Sequence, residues 1–442
     1  MNVLRFCTMA PEINLNPYRS AVPALQSDLL KLVTRPFIGR DGIISAMSFS
    51  ADGLEMTARV APGVAYASGK RVTGKDAAYG LAALLRYRIP VRGFLVTGTE
   101  NMIESANWMD KTFAGIEILG EDSFKLRFTA GKDVENIPGV LRELLERQHT
   151  GPKTTFWLAD PRNQTDFVAR YEVVSAAPLA VKFEGQHIEF SRRGSCSAPD
   201  FFDFADGNDG RSDYELSLSS GEITMVSFLN SGRLGLEERR ALGAVLQSAA
   251  QALTFPGTRT VGQLIEMGEA GATSAHQGKL MVAGGKLKKR NVRILTNSQK
   301  PYVEMLKAEI ERRLRALGVS VSFALRTEND PAEAYDAFIV GYPITSGRQK
   351  WMQGSITNMK LTGLLAGAPK THHALNVAQA AAAATVPIKA QTITDIEAAA
   401  IEEVSIVPLV RTRRELLTKR GSPISVQWGD HDEPFFTREA IK

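Results

Sequence analysis

At 442 residues, with a hydrophobic share of 44% and a net charge of +5, the chain is too long for one small core and suits a large multi-lobed unit or two to three domains. It contains no apolar run of about 18 residues, which excludes a transmembrane helix. The basic runs at 286–290 and 411–414 lack interleaved aromatic residues, so they read as solvated faces and not as a nucleic-acid surface. Cys7 and Cys196 are too few for a disulfide framework or a cysteine metal site, and they read as two buried, idle thiols.

Residues 1–10 lack the long apolar core and small-residue cleavage site of a secretory signal and read as a first β-strand. On that reading the chain is either cytoplasmic or a mature form whose leader has been replaced by Met. Pro11, Asn14, Asn16 and Pro17 break regular structure, and the spacing of Leu25, Leu29, Leu30 and Val33 predicts a helix over 24–33. Strands are expected at 43–49 and 54–60, joined by a hairpin turn at Asp52 and Gly53. Thr73 and Asp76 suit the start of a helix that continues through Arg86. A second hairpin is written in the alternation of 115–119 and 123–128, with 120–122 as its turn. Strands also fit 170–175 and 187–191.

The stretch 216–226 is expected to pass from a helix-like segment through a polar Ser-Ser-Gly-Glu break into a short apolar strand. Alternating elements follow. Residues 291–295 read as a strand, and 301–317 as a helix with Leu306, Ile310, Leu314 and Leu317 on one face, stopped by Gly318. Strands at 319–323 and 335–340 complete a strand–helix–strand spacing, which implies a parallel unit with a right-handed crossover. Thr394 and Glu397 are spaced as a capping box for a helix through Glu403, with an extended segment over 404–410 beyond it.

Read in order, several of these segments resemble the extracellular solute-binding proteins of the oligopeptide, dipeptide and nickel class, the substrate-binding proteins of ABC transporters. The likeness is carried by Leu15-Asn-Pro-Tyr-Arg19, Phe49-Ser-Ala-Asp-Gly-Leu54, Val60-Ala-Pro-Gly-Val64 and Lys70-Arg-Val-Thr-Gly-Lys-Asp76. It continues through the 116–128 hairpin, Ala169-Arg-Tyr-Glu-Val-Val174, the Ser-Gly-Glu-Ile of 220–223, Glu238-Arg-Arg-Ala-Leu242, Leu317-Gly-Val-Ser-Val321 and Val404-Ser-Ile-Val-Pro-Leu409. The resemblance implies an α/β, two-lobed periplasmic-binding-protein-like fold with an extra subdomain inserted in lobe I. By that likeness residues 1–42 begin lobe I, 43–165 form the inserted subdomain, 166–258 resume lobe I, 259–404 form lobe II, and 405–442 return to lobe I.

The implied function is capture of a peptide-like or other small solute between two lobes by hinge closure, with delivery to ABC permease subunits. The implied molecule is a monomer in the periplasm or at the cell surface, without cofactor, metal or membrane insertion. A cytoplasmic relative acting as a ligand sensor or protein-interaction module is the alternative. By position in the resemblance, the ligand-facing residues are Tyr18, Arg19, Phe228, Asn230, Arg233, Tyr342, Arg348 and Trp351. In peptide binders of this class the segment matching 341–352 carries an Asp for the ligand's α-amino group, whereas here it has no acid. Burying an ammonium without a carboxylate is costly, so Arg348 is the better candidate, for a carboxylate or phosphate. Thr224 likewise stands where the class has Asp.

No Gly-x-Ser-x-Gly elbow, Walker loop or dinucleotide glycine pattern occurs between a strand and a helix, so the reading is of a binding protein and not an enzyme. The adjacent His372 and His373 do not converge on one helix face and read as surface histidines. The aspartates between 200 and 213 lack the glycine and distal glutamate of a calcium loop.

Overall fold

The computed structural model describes residues 3–8, 15–18, 24–88, 94–102, 107–130, 137–146, 157–176, 178–192, 196, 199–202, 213–254, 258–260, 287–288, 291–296, 301–325, 334–344, 364–383, 390–430 and 432–439. In chain order its strands are β1 (Val3–Thr8), β2 (Ile44–Phe49), β3 (Glu55–Val60), β4 (Phe94–Val96), β5 (Ile116–Ile118), β6 (Ser123–Ala130), β7 (Glu172–Ala176), β8 (Leu179–Phe183), β9 (Gln186–Arg192), β10 (Phe201–Phe202), β11 (Tyr214–Leu229), β12 (Thr258–Thr260), β13 (Asn291–Thr296), β14 (Ser320–Leu325), β15 (Ala337–Ile344), β16 (Ile406–Lys419), β17 (Ile424–Trp428) and β18 (Pro434–Arg438). The α-helices are α1 (Ala24–Val33), α2 (Gly74–Arg88), α3 (Ile137–Glu146), α4 (Leu236–Gln251), α5 (Pro301–Ala316), α6 (Pro369–Ala383) and α7 (Ala390–Glu403).

The chain forms two compact units. Unit 1 takes Met1–Asp203, Arg211–Ser217 and Leu416–Lys442, and unit 2 takes Phe204–Gly210 and Leu218–Glu415. The chain therefore passes between these units within β11 and within β16.

Unit 1 has one sheet in the order β10, β1, β9, β8, β7, with β1 parallel to β9 and β10. A second sheet runs β2, β3, β6, β4, with β5 also on β6, and β17 pairs with β18. Alternation in β3 and β6 puts Met56, Ala58, Phe124 and Leu126 inside, where they meet Leu81, Ala82 and Leu85 of α2 in one continuous apolar core. Each large apolar side chain so buried is worth about 1.5–3 kcal/mol relative to exposure.

Helix α2 starts where the sequence indicates, because Thr73 and Asp76 cap each other. The Asp76 amide donates to Thr73 Oγ1 at 3.1 Å, and the Thr73 amide donates to Asp76 Oδ2 at 3.1 Å. Within α2, Gly80 is dictated by packing, since a Cβ there would lie 2.8 Å from the Tyr18 hydroxyl and 2.3 Å from Leu158 Cδ1.

Unit 2 contains β14, β13, β15, β11 and β16 side by side, with β12 on β16. β13 runs parallel to both β14 and β15, as the strand–helix–strand spacing requires, and β11 runs antiparallel to β15. On α5, Leu306, Ile310 and Leu314 are buried, but Leu317 is 60% exposed, because the helix ends at Ala316 and the chain turns at Gly318 with φ 71°. No helix among the described residues is long and apolar enough to cross a membrane.

Three further expectations are corrected. The Ser-Ser-Gly-Glu of 219–222 is no break, because β11 runs as one strand of 16 residues through it. Ser219 there accepts the Arg414 amide of β16 at 3.1 Å and donates to the Gly221 carbonyl at 2.8 Å, so a polar stretch is satisfied within the sheet. Thr394 is not an N-cap, since α7 already begins at Ala390. Cys7 and Cys196 are not idle thiols. They form a disulfide with Cα atoms 6.1 Å apart, across a chain separation of 189 residues that gives the sequence no local signal of the pairing.

Candidate functional site

Register decides which of the sequence-derived site residues lie together. β11 pairs with β15 from Leu229 opposite Ala337 to Glu222 opposite Ile344, a ladder about 23 Å long at about 3.3 Å per residue. Ala337 marks the amino end of the parallel strands and Ile344 their carboxyl end. Phe228, Asn230 and Arg233 therefore belong to the amino edge of unit 2, and Tyr342, opposite Thr224, belongs to its carboxyl edge.

At the amino edge the polar groups are committed to joining strands. Asn230 Nδ2 donates to the Tyr335 carbonyl at 2.8 Å, and its Oδ1 accepts the Gly232 amide at 3.0 Å. Buried Asp336 accepts Arg233 Nε at 3.0 Å and the Arg293 amide at 2.9 Å, one carboxylate oxygen for each. The Arg293 guanidinium lies 4.8 Å from the centre of the Tyr335 ring. Phe228 is buried in an apolar cluster with Phe338 and Leu364.

A cavity of about 660 Å³ beside this edge is lined by Ser231, Arg233, Gly235, Arg239, Arg240 and Glu403, among others. Its charges are also engaged. Arg239 donates to the Glu403 and Leu234 carbonyls at 2.9 and 2.7 Å, while Glu403 accepts the Thr371 amide and hydroxyl at 2.8 and 2.7 Å at the start of α6. Burial holds the Arg239 pKa below its ordinary value, and the nearby Glu403 charge opposes that shift. Arg240 pairs with Glu237 at 2.6 Å. With these partners the cavity offers a structural lock more than a ligand cradle.

In open α/β sheets, ligands bind outside the carboxyl ends of the parallel strands. In unit 2 that edge is formed by Thr296, Leu325 and Ile344, with Thr224 of β11 alongside Tyr342. Thr224 is fully buried, and among the described residues its hydroxyl has no hydrogen-bond partner. An orphan buried hydroxyl costs free energy unless a ligand or water satisfies it. The sequence flagged Thr224 as an exchange for Asp but did not include it among the site residues.

In unit 1, Tyr18 is fully buried. Its hydroxyl donates to the Ala159 carbonyl at 2.6 Å, and its ring meets Trp108 edge-on at 5.7 Å. Burial, with the charges of Asp160 and Asp76, pushes its pKa up, while the Ala159 bond pulls the other way. Tyr18 is thus a core residue that joins the 15–18 loop to α2. Arg19, Arg348 and Trp351 lie outside the described residues, as does the side chain of Tyr342.

The parallel strands and the two units joined through two strands define a two-lobed α/β fold of the periplasmic-binding-protein type. Among solved structures the chain is similar to the dipeptide-binding protein of Pseudoalteromonas sp. SM9913 in complex with Met-Leu. That match has a TM-score of 0.60 and 11% identity over 99% of this chain and 100% of the other. NikA of Brucella suis in complex with Fe(III)-EDTA gives a TM-score of 0.63 and 12% identity over 98% of each chain. The oligopeptide-binding protein AppA of Bacillus subtilis, in complex with a nonapeptide, gives a TM-score of 0.61 and 10% identity over 99% of each chain. No family model matches the chain, and no curated protein matches it. Likeness at these identities establishes the fold.

Proposed function

We propose that the protein is the substrate-binding component of an ABC importer, holding a small solute by closure of its lobes and handing it to permease subunits without a covalent step. The observation that carries this reading is the shared fold over the full length of both chains, with binding proteins whose ligands are a dipeptide, a nonapeptide and a metal chelate. The disulfide favours export, because such bonds persist in oxidising compartments and are rare in the cytosol. It weighs against the cytoplasmic sensor reading for the same reason. The division into lobe I, an inserted subdomain at 43–165 and lobe II remains part of the proposal.

The solute is proposed to bind at the carboxyl edges, with Thr224 and Tyr342 on the unit 2 side and with Arg19, Arg348 and Trp351 kept as ligand-facing candidates. Between Asp336 and Asp395 the sequence has no Asp or Glu but contains Arg348, Lys350, Lys360 and Lys389, besides Lys370, which pairs with Glu402. This favours a carboxylate-bearing or otherwise anionic solute over a peptide anchored by its amino group. The test is native mass spectrometry of protein purified from its own host, followed by thermal shift with peptides, opines and metal chelates. A bound mass or a stabilisation that rises with ligand concentration is expected. Apo protein unmoved by every compound would remove the reading.

A further inference from the structure

We propose that the Cys7–Cys196 disulfide positions the anchorage, within unit 1, of both strands that carry the chain on to unit 2. The anchorage is residues 199–202. β10 has only two residues, yet it joins β1 to β16: Phe201 pairs with Phe6 and Thr418, and Phe202 pairs with Cys7 and Leu417. Immediately before it, Asp200 exchanges backbone and side-chain bonds with Arg5 at 2.8 and 2.9 Å, and its carbonyl accepts the Lys419 amide at 2.8 Å. These bonds seat the end of β16.

The same four residues seat the beginning of β11. The Tyr214 hydroxyl donates to the Pro199 carbonyl at 2.7 Å, and its ring meets Phe202 edge-on at 5.3 Å. Arg420, just beyond β16, donates its amide to the Asp213 carbonyl at 2.7 Å, so the two strands are also tied to each other here. A two-residue strand forms few ladder bonds, and its place depends on what holds its flanks. Cys196, upstream of β10, is covalently joined to Cys7, the residue of β1 that pairs with Phe202. The crosslink thus limits how far the anchorage can drift from β1, and through it the seat of both crossover strands. Cys7 and Cys196 are positioning residues in this sense.

Hydrogen exchange on the full chain tests this, comparing the oxidised protein, the same protein reduced with a phosphine, and the C7S/C196S variant. The expected result is exchange about tenfold faster or more at the amides of Thr418, Lys419 and Arg420 and in peptides covering 199–202 and 214–217, reversed on reoxidation. Strands β3, β6 and β17 of the same unit should accelerate less, by no more than the loss of whole-unit stability accounts for. Tyr214→Phe, which leaves the disulfide in place and removes the bond to Pro199, should speed the same peptides, and it keeps the test alive should the double variant fail to fold. Uniform acceleration across unit 1, no acceleration on reduction, or two free thiols in protein purified under oxidising conditions would each overturn the proposal. The inference rests on the fold and the measurement needs no solute, so its outcome is separate from that of the transport reading.

Discussion

The two units divide the chain's charge unequally. Unit 1 has equal numbers of basic and acidic side chains, and the whole net charge of +5 belongs to unit 2. Unit 1 also holds the disulfide and a broad core that runs from Phe6 to Phe436. In unit 1 the buried carboxylates are tied into the fold. Asp160 pairs with Lys70 at 2.5 Å, and Asp166 accepts the Ser68 amide at 3.0 Å. In unit 2 the amino edge is similarly closed by Asp336, while at the carboxyl edge the Thr224 hydroxyl has no partner among the described residues and the chain leads into an acid-free stretch of sequence. Unit 1 is thus the covalently braced unit, and under the transport reading proposed above unit 2 is the side whose charge selects the solute.

The largest expected effect falls on unit 1. Removing the disulfide as C7S/C196S should cost about 2–5 kcal/mol, because the crosslink closes a long loop in the unfolded chain. Calorimetry should show that loss in the unit 1 transition only, and an equal loss in both units would break the distinction between a braced unit and an unbraced one. In unit 2, Asp336→Asn should cost about 2–3 kcal/mol by weakening the bonds from Arg233 and the Arg293 amide to a buried carboxylate. Denaturant titration checks it, and solute affinity should hold, since the amino edge is a lock.

Tyr18→Phe should cost about 1–2 kcal/mol through the lost bond to Ala159 and leave solute affinity unchanged. A fall in affinity at undiminished stability would return Tyr18 to the ligand face. The smallest effect concerns Glu309 on α5, held down to about 2 by hydrogen bonds from Arg312 and Arg313. Its contribution is present above its ordinary value of 4.5 and is lost as pH falls towards about 2. Glu309→Gln should therefore lower stability by under about 1 kcal/mol at neutral pH, screened by salt, and by much less at pH 2. Urea midpoints at the two pH values measure the difference.

Much of the fold was legible because its signals are local. Asp52 and Gly53, Thr73 and Asp76, and Gly318 each set a turn, a helix start or a helix stop through bonds within a few residues. The site was less legible, because position in a motif does not say at which end of a strand a side chain stands. Asn230 and Arg233 follow the same Ser-Gly-Glu-Ile stretch as Thr224, yet the antiparallel register of β11 and β15 sends them to opposite edges. Leu317 failed for a smaller reason, since a face projected along the helix does not survive the turn at Gly318.

By itself the sequence determined the capped start of α2, the hairpin of β2 and β3, the strand–helix–strand order over 291–340 and the absence of acid between Asp336 and Asp395, all of which follow from periodicity, turn chemistry and residue type, while the two-lobed class followed from the resemblance. Only the tertiary structure decided that Cys7 meets Cys196, that 216–226 is one strand, and that the amino-edge polar groups are a lock. Each of these depends on partners far away in the chain: β16 satisfies Ser219, β1 brings Cys7 beside β10, and β15 brings Asp336 to Arg233. Pairings of that kind leave no trace in local spacing, because the chain between the partners is free to be of any length.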